Sequence, residues 1–328
     1  MKAKLADVAK KAGVSVTTVS RVINNHGYLS DKTKSKVFAA MGELNYQPNS
    51  LARSLQGKKM KLIGLIFPEI THPFFAELVQ EIETKLFEQG YKVILCNAGK
   101  NKQKEREYIK MLLANQVDGI IAGAHNLGIE EYQRLDLPIV SFDRKLSDNI
   151  PIVSCDNYQG IELAVHDLLQ ANCKKIYFLG NEQTKGNPTD ERLTAYRDMA
   201  KEKHFTSHIR SIAFSDSVVL KNMRVHQMLT DDQPDGVVCT DDLTAILVLQ
   251  EAKKLGIKVP EELKVIGFDG TQEVQTYHSE LSTIAQPIAD IATVLVNLLL
   301  DRISQPQKKL NKMHYKLPVK LLKSETTA

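Results

Sequence analysis

Eight short apolar runs along residues 62–269 constrain the fold of this chain more than any other feature. Each is almost continuously apolar, which is typical of strands buried on both faces of a parallel sheet. The runs are LIGLIF (62–67), VILC (93–96), GIIAG (119–123), LPIVSFD (137–143), IPIVSCD (150–156), KIYFLG (175–180), GVVCTD (236–241) and LKVIGFD (263–269).

Segments with helical periodicity separate most of these runs. They cover residues 74–89, 105–115, 158–170, 190–203, 217–229 and 242–255. Strands that alternate with helices predict an α/β body with right-handed crossovers. The periodicity is compatible both with one large sheet and with two smaller sheets that enclose a ligand cleft.

The first 47 residues have a different pattern, which predicts two short helices and then a third. Gly13 suits the left-handed residue that ends the first helix, and Ser15 suits the N-cap of the second. Ser30 is the expected N-cap of the third helix. The outward face of the second helix carries Val16, Thr17, Ser20, Arg21 and Asn24. Such a helix pair is typical of a helix-turn-helix that enters a DNA major groove.

The charge distribution supports a polyanionic partner for this head. Residues 1–61 hold 12 Lys and Arg against three Asp and Glu, which gives +9. The remaining residues hold 31 basic and 36 acidic residues, which gives −5. A basic head on a mildly acidic body points to nucleic acid as the partner of the head alone.

A short helix over residues 50–56 is expected between the head and the body. Pro48 ends the preceding pattern, Asn49 suits the N-cap and Gly57 suits the end. A helix of two turns is marginal in water, so we expect it to form only against a partner.

Acidic residues follow several apolar runs, at the sheet edge where parallel sheets bind ligands. They are Asp143, Asp156, Asp241 and Asp269. Such acids either accept hydrogen bonds from a polyhydroxylated ligand, such as a sugar, or cap the helices that follow. The pattern favours capping for Asp156 and ligand contact for Asp269, and it leaves both roles open for the other two.

Other side chains suit the same cleft. Arg192 or Arg144 would supply hydrogen-bond donors and offset the acidic charge. Phe74 and Phe75 have the spacing of core residues in a helix. The position of Phe74 near the helix start also suits it to line the cleft and stack on a sugar ring.

The sequence lacks the common catalytic signatures. It has no P-loop, no GxGxxG after a strand, no GxSxG elbow and no HExxH motif. The four cysteines show no CxxC or histidine-linked spacing, which predicts buried reduced thiols. We therefore expect no enzyme activity, no metal site and no cofactor. Without an apolar leader or a long apolar run, a cytoplasmic location and no membrane partner are expected.

Several segments resemble the lactose-repressor (LacI/GalR) family of bacterial transcription regulators. They are LADVAKKAGVSVTTVSRVIN (5–24), NYQPNSLARSLQGKK (45–59), LIGLIFPEITHPFFAEL (62–78) and VIGFDG (265–270). The resemblance spans nearly the whole chain. RVINNHGYLS (21–30) and VILCNAG (93–99) are similar to the sucrose-operon repressors of that family.

The resemblance implies an all-α helix-turn-helix head over residues 1–47 and a hinge helix with linker over 48–61. It implies an α/β body over 62–328 that dimerises. The body would consist of two doubly wound parallel-sheet subdomains, similar to periplasmic binding proteins. The first would contain residues of about 62–157 and 287–310, and the second about 158–286 and 311–328.

The resemblance also implies site residues. In the head, Val16, Thr17 and Arg21 would contact bases in the major groove. The hinge positions near the minor groove are Asn49, Ala52 and Leu55. Leu55 would insert at the operator centre, since an exposed leucine on a marginal helix suits the unstacking of a base step.

In the body, the resemblance assigns effector contacts to Asp143, Arg192, Asp241 and Asp269. Position 241 is often Asn in sugar-responsive relatives, so Asp241 changes the pattern of donors that a ligand would need. Val16 and Thr17 are smaller than the residues of some relatives, which implies a different operator.

The function implied is a homodimeric repressor of a carbohydrate-utilisation operon. Its partners would be double-stranded operator DNA and a small sugar or sugar-phosphate effector. The resemblance leaves a phosphocarrier co-regulator open as a further partner. Two alternatives are a sugar-binding module without regulatory DNA binding and a sugar-modifying enzyme with an attached DNA-binding head.

Overall fold

The computed structural model describes residues 3–24, 26–47, 59–124, 126, 128–134, 136–181, 186–214 and 216–328. The chain forms two compact units, Met1–Met60 and Lys61–Ala328, which we call the head and the body. The hinge segment 48–58 lies outside the described residues. The predictions for Asn49, Ala52 and Leu55 fall on that segment.

The head consists of helices α1 (Leu5–Ala12), α2 (Val16–Ile23) and α3 (Asp31–Glu43). Gly13 ends α1 with φ +66°, a conformation that glycine adopts without strain. The Ser15 hydroxyl accepts from the Thr18 N–H at 3.1 Å and caps α2. Ser30 caps α3 in the same way. The helices close on a small apolar core that includes Val8, Val19 and Val37. The predicted three-helix head is confirmed.

The first sheet of the body has six parallel strands in the order β11-β5-β4-β3-β1-β2. These strands are β1 (Leu62–Phe67), β2 (Lys92–Asn97), β3 (Gly119–Ala122), β4 (Ile139–Phe142), β5 (Ile152–Cys155) and β11 (His314–Leu317). The helices against it are α4 (Pro73–Glu88), α5 (Lys102–Ala114) and α11 (Ile288–Ser304). A 3₁₀ turn at Glu130–Arg134 precedes β4.

The second sheet has the order β12-β10-β9-β8-β6-β7, in which β12 pairs antiparallel with β10 and the other pairs are parallel. Its strands are β6 (Ile176–Gly180), β7 (His208–Ser211), β8 (Gly236–Cys239), β9 (Lys264–Asp269), β10 (Ser282–Ala285) and β12 (Lys320–Leu322). The helices that follow in this subdomain are α6 (Asn157–Gln170), α7 (Asp190–Glu202), α8 (Val218–Gln227), α9 (Asp242–Leu255) and α10 (Gln272–Tyr277). Met228–Asp232 continues α8 as a π turn, and Glu325–Thr327 is a 3₁₀ turn.

The chain crosses between the sheets after β5, after β10 and between β11 and β12. Two doubly wound sheets are therefore confirmed, and the single large sheet is excluded. One boundary prediction was wrong. The resemblance placed residues 311–328 in the second subdomain, but β11 pairs with β5 of the first sheet, with His314 opposite Ile152. The strand supplies an edge to the first sheet before the chain returns to the second.

Apolar side chains fill both faces of each sheet. The interior strands β1, β3, β4, β8 and β9 are buried almost throughout, as their continuous apolar sequences predict. All four cysteines are free and buried. Burial raises the pKa of Cys96 and Cys173 to about 11, so these thiols stay protonated.

Candidate effector cavity and DNA-binding face

A cavity of about 490 Å³ lies in the body where the carboxyl ends of the two sheets meet. Its walls include Gly123 after β3, Asp143 after β4, Asp241 after β8 and Gln286 after β10. This position follows from topology, because the carboxyl ends of parallel strands share one edge of a sheet. The five predicted effector residues all line it: Phe74, Asp143, Arg192, Asp241 and Asp269.

Arg192 is a buried cation in the wall of this cavity. Its Nε donates to Asn157 Oδ1 at 2.6 Å, and its Nη1 donates to the Thr240 carbonyl at 2.5 Å. The guanidinium carbon lies 3.6 Å from the centroid of the Phe268 ring. These contacts come from α6, β9 and the segment after β8, so Arg192 has a defined orientation before any ligand arrives.

Arg144 also lines the cavity. The sequence suggested Arg192 or Arg144 as the donor in the cleft, and the structure places both of them there. Its Nη1 donates to the Asp143 carbonyl and to Thr189 Oγ1, each at 2.9 Å. Asp143 and Arg144 follow β4 of the first sheet, whereas Thr189 precedes α7 of the second subdomain. Arg144 therefore connects the two subdomains beside the cavity.

Two cavity carboxyls are buried and carry raised pKa values. Burial raises the pKa of Asp143, and the nearby Arg144 and Arg192 oppose that shift. Burial and the neighbouring Asp242 raise the pKa of Asp269 well above its usual range, with Arg192 again in opposition. Asp269 Oδ1 accepts from Gln286 Nε2 at 2.8 Å. Asp143 Oδ1 accepts from Asn157 Nδ2 at 3.4 Å. Both carboxyls line the cavity, where their oxygens can accept from ligand hydroxyls.

Helix capping and cavity lining are combined at Asp241. Its Oδ1 accepts from the Thr244 N–H at 2.7 Å and caps α9, while the residue also faces the cavity. Asp156 caps α6 through the Gln159 N–H at 3.1 Å, as predicted. Asp269 caps no helix, because the Thr271 hydroxyl caps α10. The short helix α10 itself was not expected from the sequence.

Asp242 is buried beside the cavity residue Asp241 and accepts hydrogen bonds from the segments that follow β9 and form β10. It accepts from Thr283 Oγ1 at 2.5 Å and from the Gly270 N–H at 2.8 Å. Burial raises its pKa to about 6. An unfolded aspartate titrates near a pKa of about 3.9, so between these values the folded protein binds the proton more tightly than the unfolded chain.

The contribution of Asp242 to the free energy of unfolding is therefore complete below about pH 4 and is lost as the pH rises through about 6. We expect wild-type protein to lose stability over this interval more steeply than Asp242→Asn. Denaturant unfolding of both proteins from pH 4 to 7 measures the difference. Parallel pH profiles for the two proteins would show that Asp242 does not titrate in this way.

Aromatic rings form one wall of the cavity. Phe74 and Phe142 stack with their centroids 5.6 Å apart, and Phe74 lies edge-on to Phe75 at 5.4 Å. The Phe214 ring lies 5.4 Å from the imidazole of His72. Phe74 is almost fully buried and also lines the cavity. The core position and the cleft position that the sequence suggested for this residue are therefore compatible.

In the head, the predicted contact face of α2 divides into two parts. Val16, Thr17 and Arg21 are exposed, and Val16 keeps 46% of its surface accessible. Ser20 and Asn24 are half-buried, and Asn24 Nδ2 donates to the Ser20 carbonyl at 2.8 Å. The first three are therefore accessible to a base edge, whereas the last two bond to each other at the end of the helix.

The loop after α2 holds Arg21. Its Nε donates to the His26 carbonyl at 3.2 Å. A Cβ at position 27 would lie 2.5 Å from Arg21 Nη2, and Gly27 has φ +73°. Glycine at this position therefore lets the guanidinium lie against the loop.

Comparison with known proteins decides the family. Residues 4–49 match the model of bacterial regulatory proteins of the lacI family, and residues 165–327 match a periplasmic binding protein-like domain. A sucrose operon repressor from Pediococcus pentosaceus is 57% identical over 99% of this chain and 100% of its own length.

The chain belongs to the lacI family of bacterial regulatory proteins. It is a DNA-binding transcriptional repressor.

Solved structures agree with this assignment. The lac repressor dimer bound to operator and the anti-inducer ONPF has a TM-score of 0.85 and 26% identity, covering 100% of this chain and 99% of that chain. A periplasmic binding protein/LacI transcriptional regulator from Alkaliphilus metalliredigens, complexed with D-xylulofuranose, has a TM-score of 0.73 and 32% identity. It covers 82% of this chain and 99% of its own.

The cavity of this lacI-family repressor also contains residues that the sequence did not predict. They include His72, Asn126, Asn187, Thr189 and Gln286. His72 is 7% exposed, burial lowers its pKa, and its Nδ1 has no hydrogen-bond partner in the described part of the chain. Gln286 follows the end of β10, so a predicted strand there would have pointed to it. The strand was not predicted because its Ser and Thr residues are not typical of a buried strand.

Neither a metal cluster nor a membrane-spanning helix occurs among the residues that the structure describes. Within these ranges, no three or more His, Cys, Asp or Glu are arranged to hold a metal ion. Of the described helices, none has the length and apolar character needed to cross a bilayer.

Proposed function

We propose that this lacI-family protein represses a sucrose-utilisation operon and that a sugar, free or phosphorylated, controls its affinity for the operator. The observation that carries the proposal is the cavity, which combines buried carboxyls, two arginines and an aromatic wall. The sucrose operon repressor similar to this chain over its full length supports the choice of operon.

The lining chemistry suits a carbohydrate. Asp143, Asp241 and Asp269 present acceptors for ligand hydroxyls, and Arg144 and Arg192 present donors for hydroxyl, carboxylate or phosphate oxygens. The Phe74 wall offers an apolar surface for one face of a sugar ring. A volume of about 490 Å³ lies within the range of small-molecule sites, about 300–1,000 Å³, and accommodates a monosaccharide or a disaccharide.

We further propose that two copies of the chain bind one pseudo-palindromic operator. Each head would place α2 in a major groove, with Val16, Thr17 and Arg21 at base edges. Ser20 and Asn24 would hold the helix end. Asn49, Ala52 and Leu55 remain predicted hinge contacts in the minor groove, with Leu55 inserted between bases.

Contacts between the two subdomains provide the means of control. Arg144 donates to Thr189, and Glu77 of α4 accepts from the Gln272 N–H of α10 at 2.9 Å. Lys316 of β11 pairs with Glu191 of α7 at 2.7 Å. A sugar in the cavity touches both subdomains, so it stabilises one relative arrangement over another by its difference in affinity. We propose that the sugar-bound arrangement weakens operator binding.

A thermal-shift screen followed by operator binding tests the proposal. Sucrose, its component monosaccharides and their phosphate esters are tested against the full chain at millimolar concentration. At a ligand concentration about 100 times Kd, binding stabilises the protein by about 2.7 kcal/mol, so the correct sugar should raise Tm by several degrees. The same sugar should reduce operator affinity, and a screen without any stabilising sugar would contradict the proposal.

The enzyme alternative has a separate test. The sugar that stabilises the protein is incubated with it, and the recovered sugar is analysed by chromatography. We expect it unchanged, and a new product would favour the alternative of a sugar-modifying enzyme with a DNA-binding head.

A further inference from the structure

Residues 302–324 form a basic segment near the end of the chain. They contain seven Lys and Arg and no Asp or Glu, in a body that is otherwise acidic. These residues are Arg302, Lys308, Lys309, Lys312, Lys316, Lys320 and Lys323. No residue of this segment lines the effector cavity.

Some of these cations are neutralised within the fold. Lys316 pairs with Glu191 at 2.7 Å, and Lys323 pairs with Asp167 at 2.8 Å. Lys308, Lys309 and Lys312 are exposed, and in the described part of the chain none of them forms an ion pair with a carboxylate. Three neighbouring cations without a counter-charge repel one another, and a polyanion would relieve that repulsion.

The topology places these lysines at the edge of the first sheet where the chain enters from the head. The loop 305–313 joins α11 to β11, and β11 runs parallel to β5. The loop therefore lies at the amino edge of the first sheet, opposite the edge that forms the cavity. The chain arriving from the head enters β1 at this same amino edge, where Lys61 and Lys92 are also exposed.

Strand order gives the lateral distance between these basic residues. In the first sheet β11 is four strands from β1. At about 4.8 Å per strand this is roughly 19 Å, a little over half of one DNA helical turn of about 34 Å. The loop thus lies beside the point where the chain from the head enters, and not directly over it.

We propose that Lys308, Lys309 and Lys312 bind the phosphate backbone of double-stranded DNA beside the half-site that the head occupies. The proposal rests on the DNA-binding function of the protein. Lysines on a loop act as point charges and make contacts that carry no sequence information. This basic loop, 305–313, extends the footprint of the repressor without changing its choice of operator.

The test compares wild type with the triple variant K308Q/K309Q/K312Q. Operator affinity is measured between 50 and 200 mM salt on a duplex that extends about 10 base pairs beyond the operator on each side. The slope of log K against log salt should become shallower by about 0.9 for each phosphate that the variant no longer neutralises. For each such phosphate, the loss of affinity between 50 and 200 mM salt should be about threefold smaller. Base preference and the effector response should stay unchanged, and K308R/K309R/K312R should restore the wild-type slope.

A matched control removes three other exposed lysines from the second subdomain, in the variant K201Q/K253Q/K258Q. A wild-type slope in the control, together with a shallower slope in the loop variant, supports the proposal. Equal slopes for wild type and the loop variant would overturn it, and so would equal losses in both triple variants. Absence of operator binding by wild type would instead overturn the DNA-binding function itself.

Discussion

Asp269→Asn should weaken effector binding roughly 5- to 150-fold and leave operator binding without effector unchanged. The change keeps the shape of the side chain but replaces one carboxyl oxygen with an NH2 group, and a buried ligand hydroxyl that loses its partner costs about 1–3 kcal/mol. Asp269 lines the cavity and is 5% exposed. Gln286 can still donate to the remaining carbonyl oxygen of Asn. Isothermal titration with the sugar found in the thermal-shift screen measures the decrease in affinity.

The same variant should be at least as stable as wild type. Burial and the neighbouring Asp242 raise the pKa of Asp269, so its charged form is disfavoured in the fold, and a neutral Asn removes that cost. Asp167→Asn is the matched control, since Asp167 is also buried but lies outside the cavity and pairs with Lys323. It should keep the effector response. A normal response from Asp269→Asn would place the effector elsewhere.

Arg21→Ala should lower affinity for the operator by about 1–3 kcal/mol and relax the base preference at one position of each half-site. The side chain is exposed on α2, and its Nε donates a single hydrogen bond to the His26 carbonyl at 3.2 Å. The substitution should therefore change the free energy of unfolding little, and its main effect should be on the affinity for DNA and the base preference. Selection of binding sites from a random duplex pool, with sequencing, measures the preference.

A charge control separates recognition from attraction to DNA. Lys32→Ala removes an exposed cation from α3 of the same head. It should weaken binding to all duplexes by a similar factor and leave the selected sequence unchanged. If Arg21→Ala gave the same uniform decrease as Lys32→Ala, its assignment to a base edge would be wrong.

Local features were predictable because each one is decided by a few neighbouring residues. Gly13 ends α1, and the Ser15 and Ser30 hydroxyls cap the helices that follow. The eight apolar runs all form strands, and seven of them are buried almost throughout, since a strand buried on both faces needs apolar side chains at every position. The eighth, β2, lies at the edge of the first sheet, where Leu95 is 43% exposed. The segment Asp242–Leu255 matches its predicted helix at both ends.

Three of the four edge strands were not predictable in this way. β7, β11 and β12 are partly exposed, and their sequences HIRS, HYKL and KLL include polar and charged residues, so they do not form continuous apolar runs. β10, with the sequence STIA, is buried but satisfies its Ser and Thr hydroxyls through distant residues such as Thr327. Only the assembled sheet shows that β11 belongs to the first subdomain and β12 to the second.

The sequence by itself determined the helix-turn-helix head, the alternation of buried strands with helices, and the acids that follow the strands. Helix ends, buried strands and the residues that follow them depend on residues that are neighbours in the chain, so they can be read from the sequence. Only the tertiary structure decided that Phe74, Asp143, Arg192, Asp241 and Asp269 share one cavity, and that Asp241 caps a helix while facing it. These residues are far apart in the chain, and their meeting depends on the crossings between the two sheets.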